Sequence, residues 1–194
     1  MSIDYTKLHD FVKESTKHFD DSHNYSHALA VTNNAKKIAV TFDIDSEDEL
    51  LNFASMLHDV CDHKYPQSIS KDALYSFIFD NMTCKTKSEQ TIKIINNISY
   101  SKEAKGLREQ FDHPYNIYLD IISDADRLEA LGKIGIERCI EFTKTYNGRI
   151  PEDVIQHCHD KLLRLLPDGF IKTEYGKELA KPLHQEILDY VNSH

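Results

Sequence analysis

Apolar residues along this chain recur at intervals of three and four rather than alternating, so the pattern predicts helices nearly throughout. Leu8, Phe11, Val12 and Phe19 mark a first amphipathic helix, and Ala28 through Phe42 continue a second one expected to begin near Ser22. From Leu50 to Cys61 the chain is apolar almost all round, which in a water-exposed protein predicts a buried helix. Ser46 with Glu49, and later Thr86 with Glu89, have the spacing of capping boxes, the second leading into Ile92, Ile95 and Ile98. Pro114 predicts the start of a helix whose apolar stripe is Ile117, Ile121, Leu128 and Leu131. Ile134, Cys139, Ile140 and Phe142 form another stripe after Gly132. Pro151 opens a helix through Val154, Ile155, Leu162, Leu163 and Leu166, which Pro167-Asp168-Gly169 ends. The last runs from Glu174 to Val191, and only Phe170 to Thr173 reads as extended. No repeat or linker breaks the series, so the expectation is an all-α fold in a single domain over residues 1–194.

Composition narrows the class. With 194 residues the chain can bury a full core. A formal charge of −9 repels a nucleic-acid backbone at long range, so a general nucleic-acid surface is not expected. A small phosphorylated ligand remains compatible, because a metal ion and a few cations reverse the field locally. No run of about 18 apolar residues offers a membrane span, and Met1 to Lys7 lacks the apolar stretch of a signal peptide. Cys61, Cys84, Cys139 and Cys158 make no close pairs and read as reduced thiols, which fits a cytoplasmic chain.

The chemistry starts inside the buried helix, where His58 and Asp59 stand side by side in an otherwise apolar run. An isolated buried carboxylate costs on the order of several kcal/mol, so Asp59 needs a partner, and a bound metal uses both residues at once. Further ligands are available. His23 and His27, four apart, share one helix face. Asp124 falls on the apolar stripe around Ile121 and Leu128 and is expected to point inward, with Asp126 and Arg127 flanking it. Imidazole and carboxylate donors together suit a divalent ion, and Mn, Mg, Co, Ni, Fe and Zn all fit. Lys64 and Arg127 lie next to ligand segments and are candidate phosphate binders. The bland alternatives are a lysine at a helix C-terminus and an i, i+3 partner for Asp124. Lys102, Lys105 and Arg108 read as a solvated face.

One histidine, an adjacent His-Asp pair and a distant aspartate, each on a different helix, resemble the HD-domain metal-dependent phosphohydrolases. The resemblance covers roughly residues 20–190 and includes Leu57 to Tyr65, Ser99-Tyr100-Ser101, Asp124 to Ala130 and His157. It implies the helical HD fold and, by motif position, His27, His58, Asp59 and Asp124 as ligands of one divalent ion. It also implies His23, Asp62, Lys64, Asp126 and Arg127 as catalytic residues, with Lys64, Arg127, Ser99 and His157 contacting substrate. Some members of the small single-domain branch are assigned as nucleotide pyrophosphohydrolases. The expected activity is therefore hydrolysis of a nucleoside triphosphate to monophosphate and pyrophosphate. A phosphate-monoester nucleotidase and a non-catalytic module that binds metal and nucleotide are the alternatives. Neither a glycine-rich dinucleotide fingerprint nor a P-loop is present, which argues against redox and ATP-motor functions.

Overall fold

The computed structural model describes residues 5–21 and 23–194, and among these every regular element is a helix. The α-helices are α1 (Thr6–Ser15), α2 (Tyr25–Ala39), α3 (Glu49–Leu57), α4 (Lys71–Asn81), α5 (Lys85–Ile95), α6 (Tyr100–Ala104), α7 (Tyr115–Glu129), α8 (Gly132–Thr145), α9 (Glu152–Asp160) and α10 (Glu174–Ser193). Short 3₁₀ turns follow α2 at Val40–Phe42 and α9 at Leu162–Arg164. The chain packs as two compact units, Met1–Ile122 and Ser123–His194, a division that length and composition do not reveal.

In the first unit the expected buried helix is α3, whose residues from Glu49 to Leu57 are all buried. Its sides pack on α1, α2 and α5. Leu8 and Val12 of α1, Ala28 of α2, Phe53, Met56 and Leu57 of α3, and Leu74 and Ile78 of α4 share one apolar cluster. Each such side chain contributes roughly 1.5 to 3 kcal/mol relative to exposure. Phe11 stacks on Phe77 at 3.8 Å, tying α1 to α4. Helix α4 has a clear sequence signal that the apolar pattern above passes over: Ser70 caps it, accepting from the Ala73 amide at 3.1 Å, and Leu74 and Ile78 lie four apart.

Both expected capping boxes are replaced. Asp48, not Ser46, caps α3, its carboxylate accepting from the Leu51 amide at 3.0 Å. Glu49 is 1% exposed and turns to Thr83, taking that residue's amide at 2.8 Å and hydroxyl at 2.7 Å. Thr86 lies inside α5, which begins after Cys84 without a side-chain cap. The buried segment also ends earlier than its apolar run: His58 is the C-cap of α3, and the chain turns from there to Asp62. The expected start of α2 at Ser22 lies outside the described residues. Asn24 caps that helix, its side chain accepting from the amides of Ser26 at 2.8 Å and His27 at 3.3 Å.

In the second unit α8 and α10 pack together over Ile136, Ala180 and Ile187, all buried. Gly132 starts α8 with φ +68°, a conformation suited to glycine, and the Lys133 amide donates to the Glu186 carboxylate at 2.9 Å. The expected long helix after Pro151 breaks at Lys161 (φ −135°, ψ −60°) into α9 and a 3₁₀ turn. Phe170 to Thr173 forms no strand and leads into α10, capped by the Thr173 hydroxyl on the Gly176 amide at 3.0 Å.

Candidate metal centre

Three of the expected ligands converge within the first unit. His27 follows the cap of α2, and His58 and Asp59 stand where α3 ends. Having Asp59 just past the last helical turn lets a carboxylate reach the end of an apolar helix without entering its interior. The Nε2 atoms of His27 and His58 are 3.3 Å apart, and the Asp59 Oδ2 lies 3.6 Å from the first and 3.2 Å from the second. Both imidazoles are buried, at 4% and 8% exposure, so these contacts are shielded from water. Burial by itself raises the Asp59 carboxyl, but the adjacent His58 and His27 hold it well below the usual carboxylate range.

The donor set fits a cation. His58 Nδ1 lies 2.7 Å from the Ser55 carbonyl, an acceptor only, so the ring hydrogen sits on Nδ1 and the Nε2 lone pair faces the cluster. Two ring nitrogens and a carboxylate oxygen aimed at one point at these spacings match ligands around an ion with bonds of about 2.1 Å, which separate neighbouring donors by roughly 3.0 to 3.5 Å. Among the described residues of the first unit, His27, His58 and Asp59 supply a His/Asp set suited to a metal ion.

Asp124 has another task. Its Oδ1 accepts from the Lys172 amide at 2.7 Å, and its Oδ2 accepts from the Thr173 amide at 2.7 Å and the Thr173 hydroxyl at 2.8 Å. It does point inward, as its place on the apolar stripe predicts, but inward leads to the segment before α10, where it anchors the backbone of its own unit. Burial pushes its carboxyl up to about 6, against the pull of those hydrogen bonds and of Arg127. Asp126 is two residues on, about 200° around the helix, and only partly buried. Asp124, the expected ligand, thus has both carboxylate oxygens engaged by donors of its own unit.

Arg127 is also engaged inside its own unit. It is 3% exposed, its guanidinium donates to the Phe170 carbonyl and it stands over the Phe170 ring at 5.7 Å. Lys64 differs: its side chain is 61% exposed, and its ammonium lies 3.3 Å from Asp62 Oδ2. Asp62 in turn takes the Lys64 amide at 2.9 Å and lies 3.9 Å from His23 Nε2. The ring of His23 is 6.1 Å from that of His27. The first unit therefore brings His23, Asp62 and Lys64 beside the three convergent ligands. Ser99 begins α6 with its hydroxyl 2.9 Å from that of Ser101, and His157 is exposed on α9. Lys102 and Arg108, read from sequence as a solvated face, are engaged by Glu109 at 3.6 Å and Glu103 at 3.0 Å.

Two residues without a role in the sequence reading complete this picture. Asp20 and Tyr65 both bond to His23, and Phe19 stacks on Tyr65 at 4.0 Å. Residues 45 apart in sequence leave no local signal of such a bond.

Two imidazoles and a carboxylate converge on a helical scaffold in an arrangement suited to a metal ion. The HD domain family model matches residues 24–131, more than half of the chain, and the protein belongs to that family. It is 28% identical to protein L803 of Acanthamoeba polyphaga mimivirus, over 98% of each chain. It is also 28% identical to YpgQ of Bacillus subtilis, over 73% of this chain and 69% of that one. Solved structures share the fold. YpgQ in complex with ADP superposes with a TM-score of 0.77 at 23% identity, covering 96% of this chain and 90% of that chain. An HD-superfamily hydrolase from Bacillus thuringiensis gives 0.72 at 22% identity, covering 96% and 92%. No helix among the described residues is long and apolar enough to cross a membrane.

Proposed function

We propose that the protein hydrolyses a nucleoside triphosphate to the monophosphate and pyrophosphate, using one divalent ion held by His27, His58 and Asp59. The observation that carries this reading is the 3.2 to 3.6 Å convergence of two imidazole nitrogens and a carboxylate oxygen, with an exposed lysine on the adjoining turn. When bound, the ion supplies an activated water and offsets charge on a phosphoryl oxygen. Oxygen from water then bonds to the α-phosphorus, and the bond from that phosphorus to the α–β bridging oxygen breaks. The chain's own residues do the rest. Lys64 neutralises the polyphosphate, and because its stem is exposed it can leave Asp62 to follow the ligand. His23, with Asp62 beside its Nε2, handles the proton of the attacking water or the leaving pyrophosphate. That the similar B. subtilis YpgQ was crystallised with ADP supports a nucleotide as ligand. The net charge of −9 adds that cations near the site must be local for a polyphosphate to approach.

A panel of ribo- and deoxynucleoside mono-, di- and triphosphates, assayed with added Mn, Mg, Co and Ni, tests this. Pyrophosphate released from triphosphates is the expected product. Free phosphate from monophosphates would replace the reading with a nucleotidase, and tight binding without products would make the protein a nucleotide-binding module.

A further inference from the structure

We propose that Asp20 and Tyr65 are positioning residues that lock the His23 ring with its hydrogen on Nδ1 and its Nε2 turned to Asp62. The inference deepens the proposed function and rests on its assignment of proton handling to His23.

The argument is a count of hydrogens. Tyr65 Oη lies 2.5 Å from Asp20 Oδ2 and 2.9 Å from His23 Nδ1. A phenol has one hydrogen, and the short contact to a carboxylate, in the charge-assisted range, takes it. Burial and the neighbouring Asp20 push the phenol above its ordinary value, so it keeps that hydrogen. Toward His23 the phenol oxygen is then an acceptor. The second atom facing His23 Nδ1, Asp20 Oδ1 at 3.2 Å, accepts as well. A 2.9 Å contact to a phenol oxygen whose hydrogen is already committed needs a hydrogen from the ring, so Nδ1 carries it. In the neutral ring Nε2 is therefore the free base, and it lies on the Asp62 side at 3.9 Å. The histidine side chain in water favours the hydrogen on Nε2, so the arrangement is imposed by the fold.

The supports are themselves fixed. Tyr65 stacks on Phe19 at 4.0 Å with the planes 13° apart, and Phe19 is buried. His23 also donates its backbone amide to the Asp20 carbonyl at 3.1 Å, closing a turn directly before the Asn24 cap of α2. Ring and backbone of His23 are thus both tied to Asp20, one turn ahead of His27.

Nitrogen-15 NMR of the metal-free protein, at a pH where His23 is neutral, reads the tautomer without turnover. The expected wild-type spectrum has a protonated Nδ1 and an unprotonated Nε2. Asp20→Asn places an amide donor against Nδ1 and should move the hydrogen to Nε2, while Tyr65→Phe keeps the Phe19 stack and leaves Asp20 Oδ1 as the one acceptor, so the hydrogen should stay on Nδ1 of a less firmly held ring. In the active enzyme each variant should lower kcat by about tenfold or more, within the range a positioned acid–base group supplies. KM and metal content should stay within about twofold, and neither change should add to the loss already caused by His23→Ala. A wild-type hydrogen on Nε2 overturns the proposal. So does unchanged kcat in both variants, or an equal further loss in the His23→Ala background. Normal turnover of His23→Ala itself would sink the proton-handling role in the proposed function, while the spectrum still decides the tautomer.

Discussion

At the scale of single residues, Asp124 is bound to the Lys172 and Thr173 donors, and its variant should reveal what that carboxylate does. Asp124→Asn leaves an amide nitrogen or a weakened acceptor against the Lys172 and Thr173 donors, so it should cost about 1 to 3 kcal/mol of stability while metal content per folded molecule holds. Elemental analysis beside thermal melting checks this, and loss of the ion from folded Asp124→Asn would return the ligand role to Asp124. Two cations separate stability from catalysis in the same way. Arg127→Met removes a buried donor from the Phe170 carbonyl and should lower stability by roughly 1 to 3 kcal/mol. Lys64→Met should instead lower kcat/KM by about 2 to 4 kcal/mol equivalent, with the melting curve unmoved. Equal catalytic losses without melting changes would restore Arg127 as a phosphate clamp. The sequence shows the aspartate and both cations, but it cannot show that the Lys172 and Thr173 amides, 48 and 49 residues away, claim Asp124 first.

At the scale of elements, the apolar period located most helices, and tertiary contacts decided their ends. Helix α3 illustrates both. Its all-round apolarity foretold burial, and every residue from Glu49 to Leu57 is buried. Its cap was open to two readings, since Ser46 and Asp48 are both good N-cap residues, and the choice went to Asp48 because Glu49 is drawn away to Thr83. Asp48→Ala should therefore cost about 1 kcal/mol and Ser46→Ala almost nothing, as denaturant midpoints will show. The reverse order would mean that the capping box forms in solution. Helix α10 carries a related constraint: a Cβ on Gly176 would come 2.6 Å from both Asp124 Oδ2 and Thr173 Oγ1. Gly176→Ala should thus destabilise the second unit through the same carboxylate that Asp124→Asn perturbs.

At the scale of the whole molecule, an acidic chain of net charge −9 gains most from a cation where the Asp59 carboxylate is held ionised by two histidines. Ion binding to the folded state alone adds stability by mass action, about 2.7 kcal/mol at a hundredfold excess over Kd. Dialysis against a chelator should therefore lower the thermal midpoint and remove turnover together, and restoring the ion should recover both. Loss of turnover with an unchanged midpoint would mean that the His27, His58 and Asp59 cluster does not hold the ion.

The helical class, the buried histidine–aspartate pair and the candidate ligands His27, His58 and Asp59 were legible because each is a local fact: a period of 3.6, or a polar pair inside an apolar run. Ordered motifs also pointed to the family, since their sequence along the chain survives divergence of everything between them. What the linear chain could not decide is which polar groups meet. Asp124 against Thr173, Glu49 against Thr83 and Tyr65 against Asp20 and His23 are bonds between distant segments. A side chain's role depends on the partner that reaches it, and only the folded chain brings such partners within hydrogen-bond range.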